Sequence, residues 1–251
     1  MIQCKALRKV YGSLVAVDDL DLDIERGEIF GFLGPNGAGK TTTIRMLVGM
    51  IEPTSGTVHL GGHDLRREPE AAKALVGYVP DHPFLYDKLT GMEFLRFVGG
   101  LYAVEAAELA ERGADLLEEF GLQDRAEELI ETYSHGLKQR LALAAALVHR
   151  PRVLILDEPM VGMDPQGGLE LRRLLGALAA SGVTIFLSTH SLGVAEELCD
   201  RIGILDHGRL VALGSLGDLR ARAAEHPELA PAGPSLESVF LRLTGAEGRD
   251  L

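Results

Sequence analysis

The stretch from Ile29 to Thr42, IFGFLGPNGAGKTT, leaves this chain few folds to choose from. The apolar run Ile29 to Leu33 predicts a buried strand, a Gly-rich turn follows, and the amphipathic segment from Lys40 predicts a helix. Gly34-x-x-x-x-Gly39-Lys40-Thr41 is the P-loop pattern, in the strand–turn–helix context that pattern requires. A triphosphate crowds several negative charges onto neighbouring oxygens, so the chain that holds it must wrap it and point N–H groups inward. Glycine permits the close approach, and the following helix N-terminus adds partial positive charge. Gly34, Pro35, Asn36, Gly37, Ala38, Gly39, Lys40, Thr41 and Thr42 are therefore the candidate phosphate cradle. Lys40 suits the β/γ-phosphates, and the Thr41 hydroxyl suits Mg²⁺, which takes hard oxygen ligands.

The length of 251 residues suffices for one large domain or two lobes sharing a core, and the composition is that of an ordinary globular protein. A formal net charge of −12 argues against a surface built for nucleic acid or anionic lipid. Cys4 and Cys199 lie too far apart for a metal spacing and suggest reduced thiols in a cytoplasm. No secretory leader is read at the start, and no apolar run approaches the ~18 residues of a membrane span, so the chain is not expected to cross a bilayer alone.

Along the chain, Leu20, Leu22 and Ile24 alternate with Asp19, Asp21 and Asp23, which predicts strands with one solvated face over residues 1–28. Tyr11-Gly12 sits at a turn, where the ring could stack on a base or pack on its own sheet. Short strands are expected at Thr57–Leu60 and Val76–Val79, with a helix at Glu70–Leu75 between them. Thr90 and Glu93 spell a capping box. Residues 90 to about 132 lack strand signals and predict a helical insert: one helix to about Val104, one from Glu105 to Phe120, then a short acidic helix. A helix from Leu137 to His149 follows. Strands at Val153–Leu156, Val183–Leu187, Ile202–Leu205 and Arg209–Leu213 then alternate with helices at Gln166–Ala180 and Leu192–Cys199, which implies a largely parallel sheet. Residues 225–234 are expected to form a linker, and 235–244 a small amphipathic helix.

Val153 to Pro159 places Asp157 and Glu158 at the carboxyl end of a buried strand, the edge where open α/β sheets bind ligands. Asp157 is placed to hold Mg²⁺, and Glu158 to accept a proton from an attacking water. Ser134 occupies a helix N-cap position.

Ser134-x-Gly136 followed by Lys138-Gln139-Arg140-Leu141, shortly before Asp157-Glu158, resembles the signature of the ATP-binding cassette (ABC) ATPases. The resemblance then covers essentially the whole chain. The P-loop is similar to Walker A, and Leu154–Pro159 to Walker B with its catalytic glutamate. Gly162 to Pro165 is similar to the D-loop, Ser188-Thr189-His190 to the switch-histidine strand end, and Tyr11 to the A-loop aromatic. The resemblance implies an α/β fold: a P-loop NTPase core with a parallel sheet, an N-terminal antiparallel β layer and a helical subdomain. Residues 1–224 would be the nucleotide-binding domain, with the helical subdomain at about 88–150, and 225–251 a linker and small terminal helix.

It further implies ATP and Mg²⁺ as cofactors, with Glu158, His190 and Lys40 catalytic, Tyr11 on adenine, and Thr41, Asp157 and Asp81 toward the metal. A second cassette, another copy or a related subunit, would contribute Ser134, Gly136 and Asp164 in trans. A membrane-spanning permease would hold the chain at the cytoplasmic face of the membrane; a soluble ABC ATPase of a non-transport complex is the rival. Two positions depart from the family pattern: Asp81 stands where glutamine is usual, and His135 replaces the signature's first glycine. Both, with the terminal segment 234–245, resemble the ATPase subunits of ABC-2-type exporters. The aromatic loop Pro83–Leu89 is the expected permease contact.

Overall fold

Alternation of apolar and charged side chains sets the first layer. Strands β1 (Ile2–Tyr11) and β2 (Leu14–Ile24) pair antiparallel across a turn at Gly12. Leu20, Leu22 and Ile24 are buried while Asp19, Asp21 and Asp23 face solvent. The register shifts at several places along this pair, and in β2 the alternation breaks at Asp18–Asp19. Leu7 pairs with Leu20 and Lys9 with Val17, so β2 carries one extra residue there, and Asp19 takes a φ of 52°. This β-bulge re-aims the strand, so that Val17 and Leu20 are both buried although three positions apart.

The computed structural model describes residues 1–225 together with Leu236, Glu237, Phe240 and Thr244. After β2 come β3 (Ile29–Leu33), α1 (Lys40–Leu47), β4 (Ser55–Leu60), β5 (His63–Asp64), α2 (Pro69–Lys73) and β6 (Val76–Val79). Helices α3 (Gly91–Leu101), α4 (Ala106–Glu119) and α5 (His135–Leu147) follow without an intervening strand. The chain then alternates through β7 (Val153–Asp157), α6 (Pro165–Ala180), β8 (Thr184–Thr189), α7 (Leu192–Leu198), β9 (Arg201–Asp206), β10 (Arg209–Gly214) and α8 (Leu216–Glu225). One sheet runs β2-β1-β4-β5. The other runs β10-β9-β3-β8-β7-β6 and is parallel except for β10, which returns antiparallel to β9.

The period-two geometry of the parallel strands separates two cores. Phe30, Phe32, Val153, Ile155 and Phe186 face the antiparallel layer and pack with α1, Leu7, Leu20 and Ile24. The three phenylalanine rings meet there, Phe186 lying 5.7 Å from Phe30 and 5.2 Å from Phe32, centroid to centroid. Ile29, Leu154, Leu156, Ile185 and Leu187 face the opposite side, against α5, α6 and the helical insert. Full burial of each such side chain is worth roughly 1.5–3 kcal/mol. The middle strands are thus apolar on both faces, as parallel strands must be.

Within the insert, Thr90 and Glu93 close the reciprocal capping box that starts α3. The short acidic helix expected after Gly121 does not form. The segment makes only single 3₁₀ turns at Gln123–Arg125 and Ile130–Thr132. Its backbone is taken by the preceding loop instead: Ile130 N–H donates to Leu89 O at 2.9 Å and Glu131 N–H to Asp87 O at 3.1 Å.

Helix α8 was also not anticipated, and it carries the chain through Glu225, where a linker was expected. Its start is a reciprocal cap: Asp218 N–H donates to Ser215 Oγ at 3.1 Å, and Ser215 N–H to Asp218 Oδ2 at 2.9 Å. Leu219 and Leu236 pack with Leu33, Ile202 and Ile204. Apart from the residues named, the expected linker and terminal helix over 226–251 lie outside the described residues.

Candidate functional site

The carboxyl ends of β3 and β7 open into one cleft of about 410 Å³. Pro35, Asn36, Gly37, Gly39, Lys40, Thr41 and Thr42 line one wall. Asp157, Glu158 and Asp81 line another, and Tyr11 stands at the mouth beside Leu14, Val15 and Ala16.

The P-loop takes its shape from its neighbours. Gly39 precedes α1 with a φ of 111°, and a side chain there would collide with Ala16 O on β2. A side chain at Gly34 would collide with Leu205 O on β9. Ala38 N–H donates to Pro35 O at 3.1 Å, and Ala38 O accepts from Gly208 N–H at 2.8 Å. Gly34 and Ala38 therefore set the loop's path, whereas the cleft wall comes from their neighbours.

Lys40 is buried, and its Nζ donates to Gly34 O at 2.6 Å and Pro35 O at 3.2 Å. Burial pulls its pKa below the usual 10.5, and the nearby Glu158 and Asp157 carboxylates oppose that pull. An ammonium held in so little water attracts an anion more strongly than one in bulk solvent.

The two carboxylates after β7 are held differently. Asp157 is buried, and the Ser188 hydroxyl donates to its Oδ1 at 2.5 Å. Glu158 turns out of the strand with a φ of 50°, and its N–H donates to Ser188 O at 3.1 Å. Its Oε2 lies 3.0 Å from His190 Nδ1. Asp81 is more exposed, with Oδ2 2.9 Å from His82 Nδ1. Together with the Thr41 hydroxyl on the facing wall, Asp157 and Asp81 bring hard oxygen donors to the one cleft, a donor set that fits Mg²⁺. Tyr11 is 46% exposed, with Lys9 Nζ 5.1 Å from the ring centroid, so its ring is far from buried on its own sheet.

The remaining sequence-derived residues do not line this cleft. Ser134 sits exposed and Gly136 half-buried at the start of α5, where Ser134 Oγ accepts from Leu137 N–H at 3.4 Å and a side chain added at Gly136 would enter open space. Asp164 caps α6, its Oδ1 accepting from Gly167 N–H at 2.7 Å. His190 projects into solvent and reaches the site through Glu158. Helix α5 is nevertheless tied to the turn that follows Glu158. Gln139 Nε2 donates to Pro159 O at 3.4 Å, and the His135 ring lies against Gly162. Sequence reading missed His207, Gly208 and Leu14 to Ala16 in the cleft wall. The turn at His207-Gly208 was legible, but its docking is long-range: Asp18 N–H donates to Gly208 O at 2.8 Å.

A family model described as ABC transporter matches residues 17–161, more than half of the chain, and that span includes the P-loop, Asp157 and Glu158. The chain belongs to the ABC transporter family. It is 41% identical over 222 residues to the linearmycin resistance ATP-binding protein LnrL of Bacillus subtilis, covering 88% of this chain and 71% of that protein. It is 41% identical over 220 residues to the daunorubicin/doxorubicin resistance ATP-binding protein DrrA of Streptomyces peucetius, covering 88% and 67%. Among solved structures, a dimeric ATP-binding cassette in a post-hydrolysis state with ADP and Pi matches with a TM-score of 0.78 and 25% identity. It covers 86% of this chain and 98% of that one. The chain is thus an ATP-binding cassette and an ATPase, with the cassette's mixed α/β architecture. Among the described residues no helix is long and apolar enough to cross a membrane.

Proposed function

We propose that this cassette drives an ABC-2-type exporter from the cytoplasmic face of the membrane, hydrolysing ATP in sites that two cassettes complete together. The observation that carries this reading is an incomplete wall. Lys40, Asp81, Asp157 and Glu158 converge on one cleft, while Ser134 and Gly136 present an exposed helix start outside it. Such a helix start suits an anion, and here the anion is the triphosphate on the P-loop of a second cassette. The names of both relatives, which denote resistance to linearmycin and to daunorubicin/doxorubicin, support the exporter branch.

In this reading the P-loop N–H groups and Lys40 hold the phosphates, and Tyr11 stacks on adenine. Thr41 and Asp157, with Asp81 through water, are the residues that would hold Mg²⁺, which when bound supplies charge neutralisation on the phosphate oxygens. Glu158 accepts the proton of the attacking water, and His190, 3.0 Å from its Oε2, orients that carboxylate. Asp164 helps place the second cassette while capping its own helix. Phe84 (85% exposed) and Tyr86, whose ring meets Phe97 at 5.1 Å, present an aromatic surface for the permease.

Tyr11→Ala is expected to weaken ATP binding by about 1–3 kcal/mol, the usual worth of one base–aromatic stack. Tripolyphosphate, which has no base, should bind the variant and the wild type alike in competition titrations. Equal losses for both ligands would remove Tyr11 from the base.

The composite site is tested by phosphate release. With ATP and Mg²⁺, the rate per chain should rise with protein concentration. Ser134→Ala should lower turnover about 10–100-fold, the value of one hydrogen bond to a charged group, while ATP binding to the isolated chain stays unchanged. Rates independent of concentration, or equal loss of binding and turnover, would contradict the shared site.

A further inference from the structure

One fully buried serine, so far only the first residue of the switch-histidine strand end, bonds to both acidic residues of the site, to the Asp157 side chain and to the Glu158 backbone. Ser188 lies on β8 directly opposite Asp157 of β7 in the parallel register. Its hydroxyl donates to Asp157 Oδ1 at 2.5 Å. Its carbonyl accepts from Glu158 N–H at 3.1 Å. Glu158 has a φ of 50°, a left-handed backbone uncommon outside glycine, and such a conformation persists only where the surroundings hold it. Two residues further on, His190 closes the set, its Nδ1 3.0 Å and its N–H 3.4 Å from Glu158 Oε2.

We propose that Ser188 is a positioning residue for hydrolysis: its hydroxyl fixes the rotation of the Asp157 carboxylate, so that Oδ2 is the oxygen offered to the metal bound with ATP. The inference rests on the reading of Asp157 as a metal-holding residue. Asp157 is buried, and an unheld carboxylate there would turn about its Cβ–Cγ bond between several settings. A donor fixed in the neighbouring strand selects one of them, as partners of metal-holding side chains do elsewhere. Because Ser188 is fully buried, its own rotamer is set by packing, and the strand register sets its distance. Ser188 does not line the cleft; it acts through Asp157.

The test compares Ser188→Ala, Ser188→Thr and Asp157→Asn in the full chain. Mn²⁺ affinity is read by electron paramagnetic resonance with a non-hydrolysable ATP analogue bound, and nucleotide affinity is read separately in EDTA. Ser188→Ala should weaken Mn²⁺ binding about 10–100-fold, the usual cost of losing such a partner, with nucleotide affinity in EDTA unchanged. Ser188→Thr keeps a hydroxyl and should recover most of that loss. Mn²⁺ affinity unchanged in Ser188→Ala but reduced in Asp157→Asn would overturn the role of Ser188 alone. Mn²⁺ affinity unchanged in Asp157→Asn would overturn the metal reading beneath it. Equal losses of Mn²⁺ and EDTA-state nucleotide binding in Ser188→Ala would show a packing role only and also overturn the proposal.

Discussion

Glu158→Gln is expected to lower steady-state ATP hydrolysis by about 10²–10⁴-fold, the cost of removing a general base. Glutamine has nearly the same shape and can still meet His190, but its amide cannot accept the proton that an attacking water must lose. The backbone turn at φ 50° and the bond from Glu158 N–H to Ser188 O do not depend on the carboxylate, so the fold should be unaffected. Binding should survive because the cleft keeps Lys40 and the loop N–H groups. The variant should therefore accumulate as a dimer with ATP trapped inside, visible as an ATP-dependent shift in size-exclusion chromatography. Hydrolysis at the wild-type rate would remove Glu158 from the proton transfer.

Lys40→Ala should act one step earlier, on binding. The ammonium is the cation of the P-loop wall, held at Gly34 O and Pro35 O with the Asp157 and Glu158 carboxylates nearby. Hydrogen bonds to charged groups are worth about 1.5–3 kcal/mol. Losing the contacts to the β- and γ-phosphates should therefore weaken ATP about 10–100-fold in a fluorescent-analogue titration. AMP, which lacks those phosphates, should bind as before. The deletion also strands two loop carbonyls, so a melting curve belongs beside the titration. Undiminished ATP affinity in a folded variant would place the triphosphate away from this loop.

Local chemistry made much of this site legible. The P-loop announces itself because every part of it, strand, glycines, lysine and helix start, is contiguous from Ile29 to Thr42. Asp157 and Glu158 were legible because a run as apolar as Val153–Leu156 can only be a buried strand, and its end then lies at the sheet's binding edge. Thr90 with Glu93, and Ser134 ahead of α5, were readable caps because capping is decided within four residues.

The unreadable parts are those fixed by distant partners. Nothing near His207-Gly208 says that this turn docks on Asp18 and Ala38 and so closes the cleft wall. The bulge at Asp18–Asp19 depends on pairing with Leu7 and Lys9, one strand away. The run after Gly121 has a helical composition, yet Leu89 and Asp87 take its N–H groups. Ser215 and Asp218 are a different case: their cap is local, and Ser-x-x-Asp ahead of Leu219 could have marked α8. Asp164, which the resemblance to the D-loop singled out, is also a locally decided N-cap followed by a first-turn proline.

The most direct test of the proposed shared ATP site is a crystal structure of Glu158→Gln grown with ATP and Mg²⁺. The expected result is a two-fold dimer, each triphosphate lying on the P-loop of one chain with Ser134 Oγ of the other within hydrogen-bond distance of the γ-phosphate. A nucleotide enclosed by a single chain, or phosphates away from Lys40, would contradict it.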